Sequence, residues 1–312
     1  MINKIYNEPC LDTLKRMPDK SIDCVITSPP YWQLRDYGYN GQWGLEPTFQ
    51  EYLEHLWEMM DEIYRVLKDE GTCWINLGDT YGGGNSGQGG NSGKHKNENP
   101  SIKGTKFEKG IKKPLNKCLL LIPHRFAIGC IDRGWILRND IIWAKQNGMP
   151  ESVTDRFTKK HEYIFFMVKS EKYYFDLDKI REKHSNISLE IIKYGFKSNH
   201  DSIGNIDIIQ MGDRFYNPKG KNPGSVSDFW DVKTKPSSNS HHASYNIDLI
   251  KKPILAGCPE CGVIYDPFMG TGTTAIAALK SNRNFIGSEM SDEYIKICDK
   301  NITPLLMQSK LF

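Results

Sequence analysis

The hydrophobic pattern along this chain switches repeatedly between two periods. Ile2 to Tyr6 alternates and predicts a short strand, and Leu11, Leu14 and Met17 fall on one helical face. Ile22 to Thr27 is a nearly continuous apolar run and predicts a buried strand that stops at Pro29-Pro30. Phe49 to Leu67 places apolar residues at helical spacing behind Thr48, a good N-cap. Gly71 follows, and Thr72 to Leu77 predicts another strand. Further on, Pro123 to Arg133 predicts a helix and Trp135 to Trp143 a strand. His161 to Val168 predicts a strand, with Tyr173 to Asp176 as its hairpin partner. The alternation returns near the C-terminus. Helices are expected over Asp248 to Ala256, Thr273 to Lys280 and Asp292 to Ile302, the last capped by Ser291. Strands are expected over Val263 to Tyr265 and Asn284 to Glu289. Strands interleaved with helices predict an α/β fold: a mixed, mostly parallel sheet with helices on both faces.

Two stretches break the pattern. Residues 82–117 hold nine glycines and eight lysines against two glutamates, a local net of +6 with few apolar positions. That composition fits a solvated loop or an arm that orders on phosphates. Residues 177–224 are polar and irregular, with weak helical character from Leu189 to Tyr194. They read as an inserted module. From Asp176 to Ala243 ten basic residues face nine acidic ones, so net charge alone assigns no partner to this module.

Composition narrows the function classes. The 312 residues are 38% hydrophobic and 25% charged, enough apolar matter for a real core and too much for a disordered chain. No apolar run approaches a membrane span, and Met1-Ile2-Asn3-Lys4 does not read as a secretion signal. A cytoplasmic chain is the expectation. The net charge of +3 leaves room for only a local basic patch. The eight cysteines are scattered, and Cys258-Pro-Glu-Cys261 lacks the second pair of a zinc site, so no metal is expected.

The chemistry concentrates at two places. Val263 to Ala275 reads strand, glycine turn, helix start, with Gly270 and Gly272 in the turn and Asp266, Pro267 and Phe268 leading into it. Glycines admit close approach of a ligand, and the helix start at Thr273 offers free N–H groups. Glu289 ends the next strand, where a carboxylate can accept both hydroxyls of a ribose. Alone, this unit fits a nucleoside site, a dinucleotide fingerprint of the G-x-G-x-x-G/A type, or a purely structural turn. The second place is Thr27-Ser28-Pro29-Pro30-Tyr31-Trp32. A serine hydroxyl beside a proline-fixed carbonyl makes two acceptors for one amino group. Tyr31 and Trp32 offer flat surfaces for a base. A rigid turn with aromatic packing is the bland reading of the same residues.

Taken together and in this order, the two motifs resemble the β class of amino-group DNA methyltransferases, which use S-adenosylmethionine. The segments Leu77 to Tyr81, Leu137 to Trp143, Met149 to Ser152, Lys160 to Phe165 and His242-Ala243 are similar to family segments as well. The resemblance implies a permuted Rossmann-like methyltransferase fold. Residues 1–176 become its catalytic half, 177–224 a target-recognition insertion and 225–312 its cofactor-binding half. It implies that Ser28, Pro29, Pro30 and Tyr31 hold the target amine. A serine in first position implies N4 of cytosine, with N6 of adenine as the alternative and a catalytically silent DNA-binding protein as a more distant one. It implies cofactor contacts from Cys10, Thr27, Asp266, Pro267, Phe268, Gly270, Gly272, Thr273 and Glu289. The acid that the family often carries after the first strand is replaced by Pro9, with Glu8 beside it. Double-stranded DNA is the implied partner, met by Trp32, by Lys94, Lys96, Lys112 and Lys113 of the loop, and by Arg181, Lys197, Arg214, Lys219 and Lys221 of the insertion. A restriction–modification setting, a cognate endonuclease and a homodimer are further implications.

Overall fold

The computed structural model describes residues 2–83, 115–148, 151–183, 219, 227–233 and 246–308. Within them lie eight strands: β1 (Lys4–Tyr6), β2 (Ile22–Thr27), β3 (Leu67–Leu77), β4 (Ile136–Ala144), β5 (His161–Val168), β6 (Phe229–Asp231), β7 (Val263–Asp266) and β8 (Asn284–Ser288). They form one sheet in the order β1-β8-β7-β2-β3-β5-β4-β6. The pairs from β1 through β3 are parallel. Strand β5 runs antiparallel between β3 and β4, and β6 lies parallel to β4 at the far edge.

Alternation within the strands builds two cores. Val25, Cys73, Ile75, Phe165 and Met167 face α1 (Cys10–Arg16), α2 (Phe49–Val66) and α3 (Ile122–Asp132). Cys24, Ile26, Trp74, Ile164 and Phe166 face α4 (Ile247–Gly257), α5 (Thr273–Lys280) and α6 (Asp292–Gln308). The helix periodicity is met most fully in α2. Tyr52, Leu56, Met59, Met60 and Ile63 are all fully buried along one face. Each such side chain contributes roughly 1.5–3 kcal/mol by leaving water. Thr48 caps α2 in a capping box: its hydroxyl accepts from Glu51 N at 3.2 Å, and Glu51 accepts from Thr48 N at 3.2 Å.

Three expectations change. Tyr173 to Asp176 is not a strand. Both edges of β5 are already taken by β3 and β4, so no hairpin partner can join it. The segment runs extended instead, with single bonds from Tyr174 N to Glu70 O and Asp176 N to Ala256 O, while Tyr173 and Phe175 pack on Phe166. Strand β3 begins at Leu67 rather than Thr72. Strand β6 was not expected; its three residues extend the sheet beside β4, at the opposite end from β7 and β8. The Leu189 to Tyr194 helix lies outside the described residues.

Candidate active site

The parallel half of the sheet brings four strand ends to one edge. Tyr6 of β1 pairs with Ser288 of β8, and Asp266 of β7 pairs with Gly287. The end of β2 at Thr27 lies beside them, because β2 and β7 are neighbours. Ligands of open α/β sheets bind outside such carboxyl ends. A cleft of about 1140 Å³, its open mouth included, occupies this edge. Ser28 and Pro30 line it together with Cys10, Asp266, Pro267, Phe268, Gly270, Thr273 and Glu289. Residues about 260 positions apart, expected to hold an amine and a nucleoside, thus share one cavity.

Asp266 ties the two strand ends together. Its carboxylate is buried at 1% exposure. Oδ1 accepts from Thr27 Oγ1 at 2.7 Å and from the Phe268 N–H at 3.0 Å, and Oδ2 accepts from Thr274 Oγ1. Thr27 is buried too, so both residues shape the cleft from behind. The turn that follows needs its glycines. Gly270 and Gly272 have φ of +54° and +91°, and a Cβ on Gly272 would overlap Cys298 Sγ.

Glu289 faces the same turn. Its Oε2 accepts from Gly270 N and its Oε1 from Ser291 N, each at 2.8 Å. Burial pushes the carboxyl above the usual glutamate range, against the pull of these N–H groups. Glu8 lines the cleft as well, with its carboxylate engaged: it accepts from Thr13 Oγ1 at 2.6 Å and from the Arg16 guanidinium, which holds it below its usual range. Cys10 is buried, and burial pushes its thiol up to about 12, so it meets the cleft as a neutral group. A positive-φ glycine turn beside an inward-facing carboxylate, in a cleft with apolar and aromatic walls, fits a nucleoside that carries a short charged tail.

The segment 33–47 adds a wall that the sequence reading overlooked. Tyr37, Tyr39 and Trp43 line the cleft. Tyr39 donates to Ser291 Oγ at 2.6 Å, and Trp43 stacks on His55 and meets Phe268 edge-on. The legible signal was three aromatics interleaved with Gly38, Gly41 and Gly44, all at positive φ, in a connection far longer than most.

Tyr31 lies behind Ser28, half-buried and not itself lining the cleft. Its hydroxyl donates to Glu162 Oε2 at 2.8 Å and lies 3.1 Å from Asn76 Oδ1. Ser28 Oγ donates to the Tyr31 oxygen at 3.4 Å. Burial, then the Glu162 charge, holds the phenol well above its usual range, so it keeps its proton. The ring rests on Gly78, where a Cβ would come within 2.6 Å of Tyr31 Cε2. Pro29 is buried, and the Pro30 carbonyl accepts from Tyr52 at 2.8 Å. Glu162 was not singled out from sequence. It lies at the start of β5, whose N-terminal end meets the carboxyl ends of its antiparallel neighbours β3 and β4.

Trp32 is corrected. It is 4% exposed, packs edge-on against Phe49 and donates its indole N–H to Glu46 O at 2.9 Å. Helix α2 claims it as a core residue, so it offers no face to a base. Arg181 and Lys219 share the carboxylate of Asp178, at 2.6 and 2.5 Å. Lys94, Lys96, Lys112, Lys113, Lys197, Arg214 and Lys221 lie outside the described residues.

Comparison with known proteins agrees with this geometry. The family model described as DNA methylase, which covers N6 and N4 methyltransferases, matches residues 22–300. The chain is 35% identical over 293 residues to the type II methyltransferase M.Cfr9I of Citrobacter freundii, covering 94% of this chain and 85% of that protein. It is 34% identical over 299 residues to M.SmaI of Serratia marcescens, covering 96% and 90%. Among solved structures, the cytosine-N4-specific PvuII DNA methyltransferase shares the fold with a TM-score of 0.63 at 17% identity, covering 98% of this chain and 91% of that one. The M1.HpyAVI complex with S-adenosylmethionine aligns with a TM-score of 0.53 at 17% identity, covering 96% and 98%. The chain belongs to the N6/N4 DNA methylase family and is an amino-group DNA methyltransferase dependent on S-adenosylmethionine.

Proposed function

We propose that this enzyme methylates N4 of cytosine at a specific site in duplex DNA, within a restriction–modification system whose endonuclease reads the same site. The observation that carries the reading is Ser28. It stands first in Ser-Pro-Pro-Tyr, the form that the family resemblance associates with cytosine, and it opens on the cleft that holds the glycine turn and Glu289. The cytoplasm is the matching place of action.

The chemistry follows from these residues. A base inside a duplex cannot reach the cleft and must leave the stack, at a cost of a few kcal/mol. The Ser28 hydroxyl and the Pro29 carbonyl then accept the two hydrogens of the exocyclic amine. That pulls the nitrogen lone pair out of conjugation with the ring and aims it across the cleft. S-adenosylmethionine, when bound, supplies an electrophilic methyl group on a sulfonium. As the N–C bond forms the C–S bond breaks, sulfur keeps the electron pair, and the nitrogen then releases one proton to water. Ser28 positions and polarises; an ordinary hydroxyl does not take a proton near neutrality. Glu289 suits the ribose hydroxyls, and Gly270, Thr271 and Thr273 of the turn line the cleft where the cofactor's tail would lie.

Nucleoside mass spectrometry tests the reading. The purified chain is incubated with S-adenosylmethionine and unmethylated duplex DNA, and the DNA is digested to nucleosides. N4-methylcytosine is the expected product. N6-methyladenine would keep the fold and overturn the base assignment.

A further inference from the structure

Four side chains from four separate segments meet behind Ser28. Tyr31 comes from the turn after β2, Asn76 from β3, Lys145 from the end of β4 and Glu162 from the start of β5. Glu162 accepts from Tyr31 at 2.8 Å and from Asn76 Nδ2 at 3.4 Å, and Lys145 ion-pairs with its other oxygen. Asn76 Nδ2 also donates to Tyr163 O at 3.0 Å, which fixes the amide so that its oxygen faces Tyr31.

The direction of these bonds follows. The Tyr31 hydroxyl faces two oxygens, Glu162 Oε2 and Asn76 Oδ1, and a carboxylate at neutral pH only accepts. Tyr31 must therefore donate inward, which leaves its own oxygen lone pairs for Ser28. Ser28 in turn spends its single proton on Tyr31. Its oxygen is then left with lone pairs only, turned toward the cleft. The Ser28–Tyr31 bond is long at 3.4 Å, as catalytic hydrogen bonds are before substrate tightens them.

We infer that Glu162 is a positioning residue for methyl transfer: through Tyr31 it fixes the Ser28 hydroxyl as an acceptor for the target amine. Without it the serine can present its own proton to the amine, the wrong polarity for exposing the nitrogen lone pair. The inference rests on Ser28 holding the amine, as proposed above. It deepens that reading by naming what orients the hydroxyl. Lys145 keeps the carboxylate in place, and its ammonium lies over the Trp143 ring, 4.4 Å from the centroid.

The test uses the full chain and unmethylated plasmid DNA. Glu162→Gln keeps the size of the side chain but gives it an amide that can donate to Tyr31. Tyr31→Phe removes the link and leaves the carboxylate. Each variant is expected to lower kcat about tenfold to a hundredfold, the scale on which misplaced catalytic groups act. The Kd for S-adenosylmethionine should stay within about twofold of the wild-type value, because the nucleoside end of the cleft is untouched. The double variant should lose no more than the worse single variant, since both break one chain. Wild-type kcat in either single variant overturns the inference, and so do losses that multiply in the double variant. If Glu162→Gln fails to fold, unchanged kcat in Tyr31→Phe still overturns it. A wild-type chain that transfers no methyl group to DNA would instead overturn the function proposed above.

Discussion

Thr27 Oγ1 donates to Asp266 Oδ1 at 2.7 Å across 239 residues of sequence. This bond joins the end of β2, which carries Ser-Pro-Pro-Tyr, to the end of β7, which carries the glycine turn. It ties together the two parts of the cleft that the proposed function assigns to the amine and to the nucleoside. Replacing Asp266 by Ala would take away the acceptor used by the buried Thr27 and Thr274 hydroxyls and by the Phe268 N–H. Each buried unpaired group costs about 1–3 kcal/mol, so a loss of roughly 3 kcal/mol or more is expected in urea unfolding. Asp266→Asn should lose less, since it keeps the shape and one acceptor oxygen.

Gly272→Ala should be destabilising for two separable reasons. Its φ of +91° costs an L-residue about 1–2 kcal/mol, and its Cβ would overlap Cys298 Sγ. Adding Cys298→Ala removes the overlapping atom and leaves the backbone strain. Thermal unfolding of the double variant should recover part of the loss. Full recovery would show that φ costs nothing here, and no recovery that the overlap is harmless.

Under the proposed function, Glu289 should give cofactor binding a pH signature. Its carboxyl is raised by burial, so the folded chain holds that proton more tightly than the unfolded chain. Its contribution to stability therefore falls as pH rises from the ordinary glutamate value through the raised one. Cofactor binding has the opposite sign, because accepting two ribose hydroxyls needs the ionised form. Titration calorimetry should show affinity for S-adenosylmethionine weakening as pH falls, starting above the normal glutamate range. In Glu289→Gln that limb should vanish and affinity should be lower throughout.

Ser28→Ala should separate chemistry from binding. It removes one of the two acceptors proposed for the amine and nothing from the proposed nucleoside end. Transfer to DNA is expected to fall about a hundredfold or more, the usual loss of one preorganised partner at a reacting group. Calorimetric affinity for S-adenosylmethionine should not change. Equal transfer rates would remove Ser28 from the site.

Elements with a strong period were legible in the sequence. The apolar run of β2, the one-sided face of α2 and the capping pair Thr48 and Glu51 each carried their own local signal. So did the two motifs, because proline and glycine restrict or free the backbone in ways that the sequence displays. What was not legible depended on neighbours. Tyr173 to Asp176 has strand composition, yet the edge it needed is filled by β4. Trp32 looks like a stacking surface until α2 covers it. Glu162 sits inside an apolar strand pattern, and only the reversed direction of β5 brings it to Tyr31. The cleft wall of Tyr37, Tyr39 and Trp43 has no period, and only the glycines between its aromatics mark it in the sequence.

Under the proposed function, one cleft holds the methyl donor at one end and the target amine at the other, with Ser28 where they meet. A crystal structure of the chain soaked with S-adenosylmethionine tests it most directly. The expected result is ribose hydroxyls on the Glu289 carboxylate, the tail over the Gly270 to Thr273 turn, and the sulfonium methyl facing Ser28. A cofactor bound elsewhere, or seated with its methyl turned away from Ser28, would contradict it.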